Sequence, residues 1–246
     1  AIDAACRERY GDLEARLGNL LDFLRVAPVT IEASNPFADE RLKVAVNDYR
    51  LVWMIFSALY RWDLVEKLPH TIMRAERGGF DELEPLVELY LEWVLDETYR
   101  DAMSLSVDCH DRRPGITRKQ YLAEVHRYPR VRRYVEHDWE LDMCRFWPIG
   151  RAGAEAREPV GSTLPALFMA GEYDPVTPAG WTVEAARRFP RGHVFVFPGI
   201  GHGAIESDAC ASEVAAVFLA DPSVAPEADC LSVLIAPDFI DSSEAE

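Results

Sequence analysis

The sequence predicts an α/β fold in which a parallel strand–helix–strand unit follows a long, mainly helical stretch. Three observations carry this. LPALFMAG (164–171) and VFVFPG (194–199) are short, nearly continuous apolar runs bounded by turn residues, as buried parallel strands require. PAGWTVEAARRF between them has helical character. Apolar residues recur at three- and four-residue steps through most of the chain before Trp147.

Taken in order, residues 1–26 read as a helix, with Leu13, Leu17, Leu20, Leu21 and Leu24 on one stripe. Asn47 or Asp48 can cap a second helix that runs to about Tyr60; Val52, Trp53, Met54, Ile55 and Phe56 make it apolar nearly all round, which predicts burial or a cavity lining. Pro69 can open a third helix, ending near Gly78–Gly79. Leu83, Leu86, Leu89, Leu91 and Val94 predict a fourth. Thr117 with Gln120 is a capping box, so residues 45–145 read as mostly helical. Trp147–Pro165, rich in Gly, Ala and Pro, reads as a junction. After it, Thr177 is a candidate cap with Pro178 at the first helical position. No internal repeat is visible, and DSSEAE closes the chain as an acidic tail.

Composition narrows function. The 246 residues carry a net charge of −16, which argues against nucleic acid as a partner because phosphate binding needs a cationic face. The basic residues between Arg118 and Arg133 are read as a solvated helix face. The longest apolar stretch, Val52–Tyr60, broken only by Ser57, falls well short of the roughly 20 residues that span a bilayer. No initiator Met and no signal-peptide pattern opens the sequence, so the chain is expected to be processed or truncated. His70, His110, His126, His137 and His193 have no ligand-like spacing, and no metal or other cofactor is expected. The five cysteines, Cys6, Cys109, Cys144, Cys210 and Cys230, include no CxxC pair, and an odd number leaves at least one thiol without an internal partner.

Asp174 and His202 each follow one of the two predicted strands. Parallel strands deliver both loops to the carboxyl edge of the sheet, where open α/β sheets place their ligand sites. A carboxylate beside an imidazole fixes the ring's tautomer and stabilises the imidazolium that forms when the ring takes a proton, which is the base half of a Ser-His-Asp system. The bland reading is a solvated GEYDP turn and an exposed His in Gly201-His202-Gly203; the strand context favours the chemical one. Acid before base is the order of α/β-hydrolase triads.

GEYDPVTP followed by FPGIGHG resembles the C-terminal part of the tripeptidyl-aminopeptidase-like branch of the α/β-hydrolases. The similarity extends over most of the chain. Cys6-Arg-Glu-Arg-Tyr-Gly-Asp-Leu-Glu resembles the segment after the nucleophile region, and Leu59-Tyr60 with Leu68-Pro69 resembles the helical cap. Ser106-Val-Asp-Cys109 and Cys144 before Trp147-Pro148 resemble the cap's paired cysteines; Cys210, then FLADP, then Cys230 resembles the family's closing cysteine loop. The resemblance implies Asp174 as triad acid, His202 as triad base, Cys109 bridged to Cys144, Cys210 bridged to Cys230, and Cys6 free because its family partner would precede residue 1. Bridges imply an oxidising location, secreted or in the cell envelope.

No Gly-x-Ser-x-Gly occurs in residues 1–246, so the nucleophile is expected outside this chain. The chain is expected to be the C-terminal part of an α/β-hydrolase with a mainly helical cap and an incomplete sheet: 1–44 a connecting helix and linker, 45–150 the cap, 151–246 the core with acid and base. The expected function is a serine hydrolase, an exopeptidase acting on peptide N-termini, with an N-terminal hydrolase segment or chain supplying the serine. A carboxylesterase with the same triad and a non-catalytic binding module or inactive fragment are the rivals, so the substrate is a peptide or an ester. Glu97, Asp108 and Asp111 are candidates to hold a substrate amine; Trp181 either lines the site mouth or packs on the sheet; Glu172 is the second candidate acid.

Overall fold

A computed structural model of the chain describes residues 8–113, 115–137, 139–234 and 239. The expected helix over residues 1–7, the free Cys6 and the acidic tail lie outside them. The chain divides into two compact units, one of Ala1–Val94 with Val160–Glu246 and one of Leu95–Pro159. The boundary at 159 falls inside the predicted junction.

In the first unit, helix α1 spans Leu13–Val26. It begins with the first leucine of the stripe rather than continuing from the chain start: Glu8–Tyr10 are helical, but Gly11 takes φ 61° and Asp12 caps the helix, accepting from the Ala15 N–H at 2.9 Å, so the helix expected over 1–26 is interrupted there. Strands β1 (Val29–Ser34) and β2 (Arg41–Val46) then form an antiparallel hairpin that the sequence reading did not assign. Its register explains it: Val29 faces Val46, Ile31 faces Val44 and Ala33 faces Leu42 on the apolar side, while Glu32 faces Lys43 with their charges 3.2 Å apart. Asn35 makes the turn, its side chain accepting from the Phe37 N–H.

Helix α2 (Asp48–Ala58) is capped by Asn47, which accepts from the Arg50 N–H. Leu51, Met54 and Ala58 are buried, but Trp53 is 53% exposed, so the helix is apolar all round without being buried all round. A short turn, α3 (Trp62–Val65), leads to α4 (Leu68–Glu76), with Pro69 in its first turn. Gly78 ends α4 at φ 95°. Helix α5 (Glu84–Val94) completes this part. Helix α1 packs on α2 and α4, and α5 packs on α2 and β1.

Across the junction, β3 (Ala166–Gly171) and β4 (Gly192–Phe197) pair in parallel, Ala166 opposite Gly192 through Gly171 opposite Phe197. Helix α10 (Ala179–Ala186) crosses between them and packs on both. The turn α11 (Ala204–Ser207) and helix α12 (Ala209–Ala220) follow β4. Phe197, Ile200, Ala204, Cys210, Ala211 and Val214 form a closed core, with Leu167, Met169 and Phe195 against it. The fold is α/β.

The second unit is helical. Helix α6 (Asp101–Val107) widens into a π turn at Asp108–Arg112; α7 (Arg118–Val125), α8 (Arg132–Val135) and α9 (Trp139–Met143) follow. The Thr117–Gln120 capping box opens α7 with both reciprocal bonds. Cys109 is joined to Cys144, and the Trp147 Nε1–H donates to Ser106 Oγ at 2.9 Å. In the first unit Cys210 is joined to Cys230 across 20 residues. Among the described residues no helix is long and apolar enough to cross a membrane.

Peptide mapping of non-reduced protein is expected to yield linked 109–144 and 210–230 peptides. Paired replacement of Cys210 and Cys230 by Ala is expected to cost about 3 kcal/mol of stability in denaturant titration, the chain-entropy value for a loop of this length. A loss below about 1 kcal/mol would show that the bridge, which ties the first turn of α12 to Cys230, adds little to stability.

Candidate active site

The site grows from two backbone turns at the carboxyl ends of β3 and β4. Past the last paired residues, the strands stay tied: the Glu172 N–H donates to the Phe197 carbonyl at 3.0 Å and the Tyr173 N–H to the Ile200 carbonyl at 2.9 Å. Glu172 then reaches back, its carboxylate accepting from the Gly199 N–H at 2.9 Å. The second candidate acid therefore braces the turn before His202 and does not meet the imidazole.

Two glycines let these backbones close. A Cβ on Gly171 would lie 2.0 Å from the Gly201 carbonyl oxygen, and a Cβ on Gly201 would lie 1.9 Å from the Leu59 carbonyl oxygen. Neither position has room for a side chain. The end of α2 thus abuts the turn that carries His202, and Tyr60 sets its ring edge-on to the imidazole with centroids 5.0 Å apart.

Asp174 is 8% exposed. Its Oδ1 accepts from the Val176 and Thr177 N–H groups, both at 2.8 Å, and its Oδ2 accepts from the Thr177 hydroxyl at 2.7 Å. Thr177, expected as a helix cap, is instead committed to this carboxylate, and α10 starts from Pro178 without a side-chain cap. His202 Nδ1 stands 2.9 Å from Oδ2 and 3.0 Å from Oδ1. Burial alone would raise the Asp174 pKa, but the Thr177 amide, the Thr177 hydroxyl, the imidazole and the Val176 amide outweigh it and hold the carboxyl below its ordinary value. Burial first, then the charge of Asp174, pushes the Tyr60 phenol up, so this neighbour stays protonated.

This geometry has a chemical consequence. With Nδ1–H donated to a carboxylate, the Nε2 lone pair is the basic site of the ring. Among the described residues no hydrogen bond engages Nε2, and the His202 side chain is 34% exposed.

Of the other residues singled out by sequence, Trp181 is 67% exposed rather than packed on the sheet. Asp108 pairs with Arg112 at 3.1 Å, Asp111 with His110 at 2.6 Å, and Glu97 is exposed; all three belong to the second unit. Sequence reasoning missed the roles of Glu172, Thr177 and Tyr60. Thr177, three residues after an acid in a turn, was a readable signal for an Asx-type bond; Tyr60 had none, because its neighbour is remote in sequence.

No curated protein and no solved structure gives a significant match to the chain. Residues 132–230, which include β3, β4, Asp174 and His202, match the α/β-hydrolase family model described as TAP-like protein, a family that supports hydrolase chemistry in general. Over these residues the chain is similar to the C-terminal portion of the TAP-like branch of the α/β-hydrolases.

Proposed function

We propose that the chain supplies the acid and base of a serine hydrolase, Asp174 and His202, to a nucleophilic serine that lies outside residues 1–246. The carrying observation is the Nδ1 of His202 against both oxygens of a buried, amide-bound carboxylate, with Nε2 unengaged. In this reading Nε2 takes the serine proton during attack and returns it to the leaving group. Asp174 holds the tautomer and stabilises the imidazolium without itself being protonated. Its bonds to two amides and a hydroxyl keep it ionised and oriented before the ring becomes charged.

The preferred substrate is a peptide with a free N-terminus, cleaved as by an exopeptidase; an ester is the rival substrate for the same triad. Residues 1–44 would connect to the nucleophile region, 45–150 would form the cap and 151–246 the core, with further strands completing a sheet of which β3 and β4 are part. A two-strand sheet is a poor free-standing core, which supports this reading. The two disulfides fit a secreted or cell-envelope protein. Of the three candidate carboxylates for the substrate amine, Asp108 already holds Arg112 and Asp111 holds His110, whereas Glu97 is exposed.

Two measurements test this, and a third tests the packing that places His202. Fluorophosphonate is expected to leave residues 1–246 unlabelled at serine, because an imidazole–carboxylate pair without an attacking hydroxyl forms no acyl-enzyme; labelling would overturn the external serine. In the complete enzyme, assayed on aminoacyl-arylamides and on p-nitrophenyl esters in parallel, Asp174→Asn is expected to lower kcat by roughly 10⁴-fold through the wrong tautomer. A loss under about tenfold in a folded variant would remove Asp174 from the triad. Gly201→Ala is expected to destabilise the fold by about 2–3 kcal/mol, because its Cβ meets the Leu59 carbonyl, while Gly180→Ala, with open space, changes stability by under about 1 kcal/mol.

The pH dependence has a defined sign. The folded pKa of Asp174 lies below its ordinary value of 3.8, so its contribution to stability is fully present above that value and is lost as pH falls through the folded pKa. The stability difference between wild type and Asp174→Asn is therefore expected to shrink as pH falls below about 4 in denaturation midpoints. A difference that grew toward acid pH would contradict the depressed carboxyl.

A further inference from the structure

The second unit holds a charge arrangement that hydrolase chemistry at Asp174 and His202 does not use. A cavity of about 290 Å³ opens beside the Cys109–Cys144 disulfide, and Arg113, Arg118, Arg145 and Arg151 line it. This is a strongly acidic chain, with a net charge of −16, so a concave cluster of guanidiniums runs against its average. One acid shares the lining: Asp142, which takes Arg118 at 3.1 Å. Glu140 takes Arg113 at 2.5 Å.

Arg145 and Arg151 have no carboxylate partner among the described residues. The Arg145 guanidinium lies 5.8 Å from the Phe146 ring centroid, and that ring is itself 78% exposed. Arg157 also lacks a carboxylate partner among the described residues. Its guanidinium stands over Gly115 of the same lining, where a Cβ would come within 3.5 Å of Cζ. Three other arginines of the unit sit against acids: Arg112 on Asp108, Arg127 on Glu124 and Arg132 on Glu136.

The walls are set by restraints other than charge attraction. The disulfide pins the π turn to the end of α9. The Ala152 N–H donates to the His110 carbonyl at 2.9 Å, which fixes the segment carrying Arg151. The Thr117 capping box fixes the first turn of α7, which carries Arg118. Like charges held together by covalent and backbone bonds repel one another, and an anion between them relieves that repulsion. The guanidinium fork suits an oxyanion, whose two or three oxygens take parallel N–H donors. A cavity of this volume lies at the small end of ligand sites.

We infer that this cavity is a binding site for a small oxyanion, a carboxylate or a phosphate, held chiefly by Arg145 and Arg151 with Arg157 at the rim. Isothermal titration of the 246-residue chain with inorganic phosphate and, separately, with succinate tests it, at ionic strength held constant with chloride. Saturable binding of one anion per chain is expected, with either anion competing against the other; the tighter of the two identifies which oxyanion the site selects. The double variant Arg145→Gln/Arg151→Gln is expected to weaken binding by at least about tenfold, the loss of one charge-assisted contact or more, with its far-ultraviolet circular dichroism unchanged. Arg157→Gln is expected to weaken it less, which keeps the test open should the double variant fold poorly. Arg127→Gln, on a paired arginine away from the cavity, is expected to bind as wild type does. Absence of saturable binding for both anions, unchanged binding in the double variant and in Arg157→Gln, or equal weakening by Arg127→Gln would each overturn the site.

Discussion

Three backbone segments meet at Gly171, Gly201 and Leu59, and their close approach decides where everything near His202 can stand. Gly171 ends β3, Gly201 immediately precedes the imidazole, and Leu59 follows α2. Carbonyl oxygens occupy the volumes that side chains would fill at both glycines. The cross-loop bonds from Glu172 and Tyr173 add directional restraint to this steric one. The imidazole is thus placed by packed main chain rather than by its own hydrogen bonds. The Asp174 contact is then a consequence of position, already formed before any substrate is present.

The same economy appears in how Asp174 is kept ionised. A carboxylate 8% exposed is costly unless its lone pairs are taken. Two amides, one hydroxyl and one ring nitrogen take them. Three of those four donors come from the two residues Val176 and Thr177 of its own turn, so the acid is satisfied locally before β4 brings His202 to it. Tyr60, edge-on to the ring and kept neutral, adds bulk without a competing charge.

The two units differ in what holds them. The first has a hairpin packed on α2 and α5, and a parallel strand pair whose apolar core with α11 and α12 is closed by the Cys210–Cys230 bridge. The second has short helices, a π turn, a disulfide and many arginine–acid pairs. Surface ion pairs contribute little individually, so the bridge and the apolar contacts of buried Leu105, Cys109, Val125 and Tyr134 carry more of its order.

Much of this was legible in the residues. The apolar runs bounded by turn residues pointed to β3 and β4 and their parallel pairing, although most of their residues are only half-buried in this chain and Val194 is exposed. Asn47, Thr117 and Gln120 marked helix starts, because a cap is a bond between neighbours in sequence. The hairpin at 29–46 went unassigned although Val29, Ile31 and Ala33 alternate with polar residues; six-residue strands carry too few periods to stand out beside leucine-rich helices. Asp174 and His202 were named from their positions after strands, and their meeting was a topological expectation. What only the tertiary structure decided were the contacts between remote segments: Tyr60 on His202, Leu59 against Gly201, Glu172 on the Gly199 amide, and the arginines around the cavity beside Cys109. None of these leaves a mark in a local window, because each depends on the packing of segments far apart in the chain, and sequence periodicity reports only which face of one segment is turned inward.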